Sequence, residues 1–176
     1  MTLARTLGVT AHVSVLLRKA RRLGVSTLRD AIAVAVQRGC RHYQAAAGSV
    51  SAADPGRLEL PDDELVILLL LGEQPYDPFA IRCAAQLARS PEIDPGRLAR
   101  LAVRERCERV LAHIAREGLD RDPDGQSHWA TILEHIGPPP KRDEENLPHG
   151  TRFVSMPGFQ RGGHAQPQWL TPTQER

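Results

Sequence analysis

The sequence predicts a mainly α-helical protein, with about six helices in a compact helical bundle and a C-terminal β-hairpin. Three observations predict this fold. Apolar residues recur at helical spacing, proline or capping residues stand where helices would begin, and two strand-like stretches near the C-terminus flank a glycine-rich connection. The chain has 176 residues, of which 41% are hydrophobic and 25% charged, which is ordinary for a soluble globular protein.

The first fifty residues predict two basic amphipathic helices. Thr10 can cap the first helix and Gly24 can end it, while Thr27 and Asp30 have the spacing of a capping pair for the second. Arginines and a lysine lie off the apolar stripes, so both helices should carry basic outer faces. The stripe of the first helix consists of Val13, Leu16, Leu17, Ala20 and Leu23.

The middle of the chain predicts four more helices, each opened by a recognisable first turn. The second carries Asp77 and Pro78 at its start, and the third begins with Asp94 and Pro95. The helix expected over 61–71 is apolar on all sides and should be buried. Its short apolar run is also compatible with a β-strand, but the proline and the acidic residues at its start favour a helix. These helices are expected over 61–71, Phe79–Ala88, Pro95–Glu117 closed by Gly118, and 127–136 capped by Ser127.

The C-terminal hairpin is predicted from strands over Thr151–Met156 and Gln166–Thr171. Residues 48–56, rich in small residues, predict a linker. We therefore expect a basic helical hairpin over 1–50 and a helical body with the β-hairpin over 51–176, unless the two form one continuous domain.

The charge is strongly asymmetric although the whole chain has a net charge of only +2. The first fifty residues carry eight Arg or Lys and one acid, Asp30, which gives +7, whereas residues 51–145 carry 12 basic and 19 acidic residues, which gives −7. Such asymmetry indicates a polyanion or an acidic partner surface at the N-terminal end. Arginine suits bidentate contacts to phosphate, although a GC-rich genome would produce the same preference for arginine.

The segment from Ala20 to Ser26, followed by a helix, resembles the helix-turn-helix element of DNA-binding regulators, over residues 13–43. The resemblance covers the spacing of Ala20 and Gly24 and the Gly-Val-Ser turn. Asp30 stands where that family has an apolar anchor, so the turn should be tighter here. The resemblance implies a helix that reads DNA; an ordinary helical hairpin with outer arginines fits the same residues.

The order of elements over 95–171 resembles a winged-helix domain. The resemblance implies a wing over Pro157–Ala165, with Arg161 at its tip, and a recognition helix over Lys141–Leu147. That helix would carry three acids, which suits a protein partner better than DNA. A hairpin that only covers the edge of the core fits the same pattern.

No pattern predicts catalysis, a metal site or a cofactor. Three widely spaced cysteines form no CxxC, the Cys40–His42 spacing places the two side chains on different helix faces, and no phosphate-binding or dinucleotide fingerprint is present. We therefore expect a non-enzyme without catalytic residues, metal or cofactor. The longest apolar run is too short to span a membrane, so a cytoplasmic protein is expected.

The favoured hypothesis is a nucleic-acid-binding accessory subunit of a larger nucleoprotein complex, in contact with protein partners and with the phosphates of DNA or RNA. The alternatives are a protein–protein adaptor without nucleic-acid contact and a helix-turn-helix transcription regulator. Salt-dependent binding would separate the first from the second. The expected phosphate contacts are Arg18, Lys19, Arg21, Arg22, Arg29, Arg38 and Arg41, with Arg161 as a secondary contact.

Overall fold

The computed structural model describes residues 14–44, 59–71, 76–138, 147–155 and 167–173. This part of the chain contains seven α-helices and a two-stranded antiparallel sheet, which confirms the predicted mainly helical fold with a C-terminal hairpin. The strands β1 (Val154–Ser155) and β2 (Gln168–Trp169) pair Val154 with Trp169. The helices are α1 (Val15–Arg22), α2 (Leu28–Gln37), α3 (Asp62–Leu70), α4 (Pro78–Leu87), α5 (Pro95–Glu105), α6 (Glu108–Arg121) and α7 (Gln126–Ile136).

Helix α3 lies in the middle of the fold. It packs against α1, α2, α4 and α5, and every side chain from Leu65 to Leu70 is buried. A helix that is apolar on all sides avoids exposing apolar surface to water only when other elements surround it. The predicted helix at this place is therefore confirmed, and the acidic residues of its first turn are its polar part.

The end of α1 follows the predicted signal. Gly24 ends α1 with φ of 85°, and the N–H of Val25 donates to the carbonyl of Ala20 at 2.9 Å, as in a Schellman motif. Gly39 ends α2 in the same way, with φ of 103°, which the sequence did not predict. Thr10 and Val13 lie outside the described residues, and Ser14 caps the described α1.

One expectation for α1 is wrong. Leu17 was predicted to face the core with Leu16 and Ala20, but 39% of Leu17 is exposed. The described helix is eight residues long, and only Leu16 and Ala20 of it are buried. The packed stripe is therefore narrower than the apolar pattern, and Leu17 is left at its edge.

The predicted long helix Pro95–Glu117 is two helices. Arg106 adopts the left-handed conformation with φ of 62°, and the N–H of Cys107 donates to the carbonyl of Ala102 at 3.0 Å, which closes α5. Neither glycine nor proline marks this break, and the apolar spacing of the sequence continues through it unchanged. The sequence therefore contained no sign of two helices. Near this break Val103 is 46% exposed, whereas Glu105 is buried.

The sequence predicted that Gly118 ends a helix, but Gly118 lies inside α6, beneath Trp129. A Cβ atom at Gly118 would lie 2.5 Å from the Trp129 ring, so only glycine permits this close approach. Helix α7 also begins at Gln126, one residue before the predicted cap Ser127. The absent side chain thus allows α6 and α7 to pack closely.

The described C-terminal residues are tied to the helices. The rings of Trp129 and Trp169 are 5.0 Å apart between centroids, and the indole N–H of Trp169 donates to the carbonyl of Ala85. Thr173 donates its backbone N–H to the carbonyl of Gly39 at 3.1 Å. The segment that follows β2 therefore connects α4 with the end of α2.

Two predicted regions fall outside the described residues: the hairpin tip over 157–165, with Arg161, and residues 141–146 of the expected recognition helix. The winged-helix resemblance stays a prediction. Across the residues that the structure does describe, no helix combines the length and the apolar character needed to cross a membrane.

Candidate nucleic-acid interface

Helix α1 presents a basic outer face on a packed inner face. Leu16 and Ala20 are buried, while Arg18, Arg21 and Arg22 are exposed. Arg21 and Arg22 lie in the last turn, where cations interact favourably with the helix dipole, and no acid occurs in the first turn. The predicted side of α1 therefore carries three exposed guanidinium groups.

The single acid among the first fifty residues is used inside the hairpin. The Asp30 carboxylate accepts hydrogen bonds from the backbone N–H groups of Ser26 and Thr27 at 2.9 and 2.8 Å, which completes the predicted capping box. Burial opposes ionisation, but these bonds outweigh it and hold the pKa of Asp30 below its ordinary value. Arg29, beside Asp30, is exposed.

The first turn of α3 binds basic side chains from three different helices. Asp62 accepts from Arg38, which directly follows α2, with Oδ1 and Nη1 2.5 Å apart. Asp63 Oδ2 lies 2.7 Å from Arg97 Nε of α5, and Glu64 Oε2 lies 2.6 Å from Lys19 Nζ of α1. Successive helical residues point about 100° apart, so three consecutive acids can reach three neighbours.

These pairs divide the predicted phosphate contacts into two groups. Lys19 and Arg38 are partly buried and engaged by carboxylates, so they orient the hairpin on α3. The remaining contacts in the described part of the chain are exposed, and Arg161 lies outside it. The exposed set is Arg18, Arg21, Arg22, Arg29 and Arg41.

Sequence reasoning missed the pairing role of Asp62, Asp63 and Glu64, because a helix dipole already explains acids in a first turn. A usable signal was present: three consecutive acids face three directions, and a chain with a basic N-terminal part can supply partners for them. Arg97 was missed as well, because its partner lies 34 positions earlier in the sequence.

Helix α5 carries a second arginine face. Arg97, Arg100 and Arg104 are exposed at spacings of three and four residues, so they lie on one side of the helix. Two of the three form ion pairs, since Arg97 Nε lies 2.7 Å from Asp63 Oδ2 and Arg104 Nε lies 3.6 Å from the carboxylate of the buried Glu105. This face offers a comparison for the basic face of α1.

A cleft of about 490 Å³ lies between the end of α2 and the starts of α3 and α5. Its basic residues, Arg38 and Arg97, are both paired with carboxylates, and Glu92 and Asp94 add further negative charge. Its charge balance is thus unsuited to an anion. No group of three or more His, Cys, Asp or Glu placed to hold a metal ion occurs in the described residues.

The three cysteines are buried thiols. The pKa of Cys40 is raised mainly by a hydrogen bond with the Cys83 side chain and secondly by burial. Burial is also the main cause that raises the pKa of Cys107. Because the thiolate is the reactive form, these environments oppose nucleophilic reactivity.

The fold and site together describe a mainly helical protein that presents exposed arginines on a hairpin docked against an acidic helix start. Comparison of the chain with protein-family models, with curated proteins and with solved structures found no match.

Proposed function

We propose that this protein is a non-enzymatic nucleic-acid-binding accessory subunit of a larger nucleoprotein complex, which contacts backbone phosphates through the basic face of α1 and the start of α2. The observation that carries the proposal is the exposure of Arg18, Arg21 and Arg22 on a helix whose opposite side is packed. The Lys19–Glu64 ion pair supports a fixed orientation for that face. Because the helix backbone is already fixed, only the side chains of these arginines have to be ordered on binding.

The size of the arginine face determines how strongly we expect it to bind nucleic acid. Residues 18 to 22 rise about 6 Å along the helix axis, which matches roughly two successive phosphates of one strand. Arg29 and Arg41 can extend the contact to about five charges. Binding of this kind releases counterions, so affinity should fall steeply with salt.

Helix α2 favours contact with the backbone over the reading of bases. Base readout requires several exposed side chains on the second helix of such a hairpin. Here Ala31 to Ala35 are all buried, and within α2 only Arg29 and Gln37 are exposed. A sequence-independent accessory role therefore fits this helix better than the alternative of a transcription regulator.

The test measures binding of the full chain to labelled double-stranded DNA, single-stranded DNA and RNA by fluorescence anisotropy. We expect the triple variant Arg18→Glu, Arg21→Glu, Arg22→Glu to lose binding and keep its helical circular dichroism, because these side chains lie away from the core. The matched control, Arg100→Glu, Arg104→Glu, Arg106→Glu, changes the charge equally and should retain binding.

Two results would contradict the proposal. Equal loss in both triple variants would assign binding to net charge and not to α1. Absence of binding to all three nucleic acids at low salt would favour the alternative of a protein–protein adaptor, in which the same arginines meet an acidic partner surface.

A further inference from the structure

An apolar groove of about 310 Å³ opens between α1, the turn into α2 and the C-terminal end of α3. Leu17 forms one wall and is 39% exposed, although its chemistry favours burial. Leu28 and Leu71, both only partly buried, lie on the other sides. The rest of the lining consists of Val25, Ala31 and Leu68, with Ser26 and Thr27 at the polar edge.

The border of this groove is positively charged. Arg21 lies one turn after Leu17 on the same side of α1, and Arg29 follows Leu28 directly. The acid nearest in sequence, Asp30, is bound to the backbone N–H groups of Ser26 and Thr27. An apolar occupant flanked by acids would therefore find complementary charge here, and one flanked by bases would be repelled.

We propose that the groove docks an amphipathic, acidic segment of a partner protein, which inserts one or two apolar side chains and places its carboxylates against the arginines. The volume lies at the lower end of the roughly 300–1,000 Å³ of ordinary ligand sites, which fits side chains and not a whole helix. Charge disfavours residues 1–13 of this chain as the occupant, since they carry Arg5 and no acid. Helix-in-groove recognition combines apolar anchors and flanking charge in this manner.

The inference goes beyond nucleic-acid binding, and its apolar contacts are made by side chains that the proposed nucleic-acid binding does not use. Leu17 and Leu28 are not phosphate contacts. Nucleic-acid binding can therefore fail while docking of the segment holds, and docking can fail while nucleic-acid binding holds. The two activities share Arg21 and Arg29, and an acidic segment in the groove should therefore compete with nucleic acid for these arginines.

The test uses three synthetic 15-residue helical peptides and the full chain. One peptide carries leucines on one face and glutamates on the other; the second replaces its glutamates by lysines, and the third replaces its leucines by serines. We expect the Leu/Glu peptide to bind at least tenfold more tightly than either of the others, as measured by fluorescence anisotropy.

Variants then assign the binding to the groove. Leu17→Ser should weaken the Leu/Glu peptide about tenfold and leave nucleic-acid affinity unchanged. Its matched control is Val15→Ser, since Val15 is 60% exposed and does not line the groove. Arg21→Glu, which leaves the apolar lining intact and Arg29 in place, should remove most of the preference for the Leu/Glu peptide over the Leu/Lys peptide.

The proposal is overturned if the Leu/Glu peptide does not bind, or if it binds Leu17→Ser as tightly as the unchanged protein. It is also overturned if Leu17→Ser abolishes self-association in sedimentation, because the occupant is then a second copy. Leu17-dependent binding to anionic lipid vesicles would overturn it in favour of a membrane surface.

Discussion

Arg97 Nε lies 2.7 Å from Asp63 Oδ2, and this contact joins the start of α5 to the start of α3. The flanking acids repeat it, since Asp62 binds Arg38 of α2 and Glu64 binds Lys19 of α1. One helix start therefore orders three neighbouring helices, including both helices of the basic hairpin. The acidic first turn of α3 is as much a docking element as a helix start.

Asp63→Asn should lower the free energy of unfolding by about 1–2 kcal/mol, because it removes a charged partner from a buried position. Arg97→Gln should cost about 1–3 kcal/mol, because it leaves the buried Asp63 carboxylate without its charged partner. Urea unfolding of both variants measures the two losses. Negligible losses in both variants would contradict this account of the pair.

Arg106→Gly should stabilise the protein by about 0.5–1 kcal/mol. A residue other than glycine in the left-handed region destabilises the folded state by roughly 1–2 kcal/mol. Glycine removes this strain, but its greater conformational entropy in the unfolded state offsets part of the gain. Arg104→Gly, two residues earlier inside α5, is the control and should destabilise by about 1 kcal/mol. Chemical unfolding that shows the same sign for both would exclude the left-handed helix end as the cause.

Gly118→Ala should destabilise the protein by about 1–3 kcal/mol, because the new methyl group meets the Trp129 ring at 2.5 Å. Helix propensity alone predicts the opposite sign, a gain of about 1 kcal/mol. Thermal unfolding followed by tryptophan fluorescence reports both the stability and the Trp129 environment. A stabilised Gly118→Ala variant would mean that α6 and α7 are not this close.

The Asp30 capping box should make stability pH-dependent. The pKa of Asp30 is lowered in the folded protein from its ordinary 3.8, so ionisation favours folding. This contribution is complete above about pH 5 and is lost as the pH falls through the folded value. The difference in unfolding free energy between the unchanged protein and Asp30→Asn should shrink over that interval in a urea series. A constant difference down to pH 2 would show that the charge is not involved.

Local signals predicted most of the fold. The Thr27–Asp30 capping box, the Asp77 cap with Pro78, and the glycine end at Gly24 depend on a few adjacent residues, and each was found as expected. The break at Arg106 was not predictable, because an arginine there adopts a conformation that sequence patterns assign to glycine. Gly118 misled for a related reason: its role depends on Trp129, eleven positions later.

The candidate site was predictable only in part. Composition indicated a basic N-terminal surface, but which of its cations are partly buried and which are exposed depends on contacts across the fold, such as Lys19 with Glu64, 45 residues apart. The exposure of Leu17, which creates the groove, follows from the narrow contact of α1 with its neighbours. No spacing rule contains that information.

The most direct measurement is the salt dependence of DNA affinity for the unchanged protein and for Arg18→Gln, Arg21→Gln, Arg22→Gln. If α1 neutralises phosphates, the slope of log K against log salt should fall in magnitude by about 2–3 in this variant, since each lost contact removes roughly 0.9. The control variant Arg100→Gln, Arg104→Gln, Arg106→Gln should keep the original slope. An unchanged slope in the α1 variant, or an equal fall in both, would contradict a phosphate-binding face on α1.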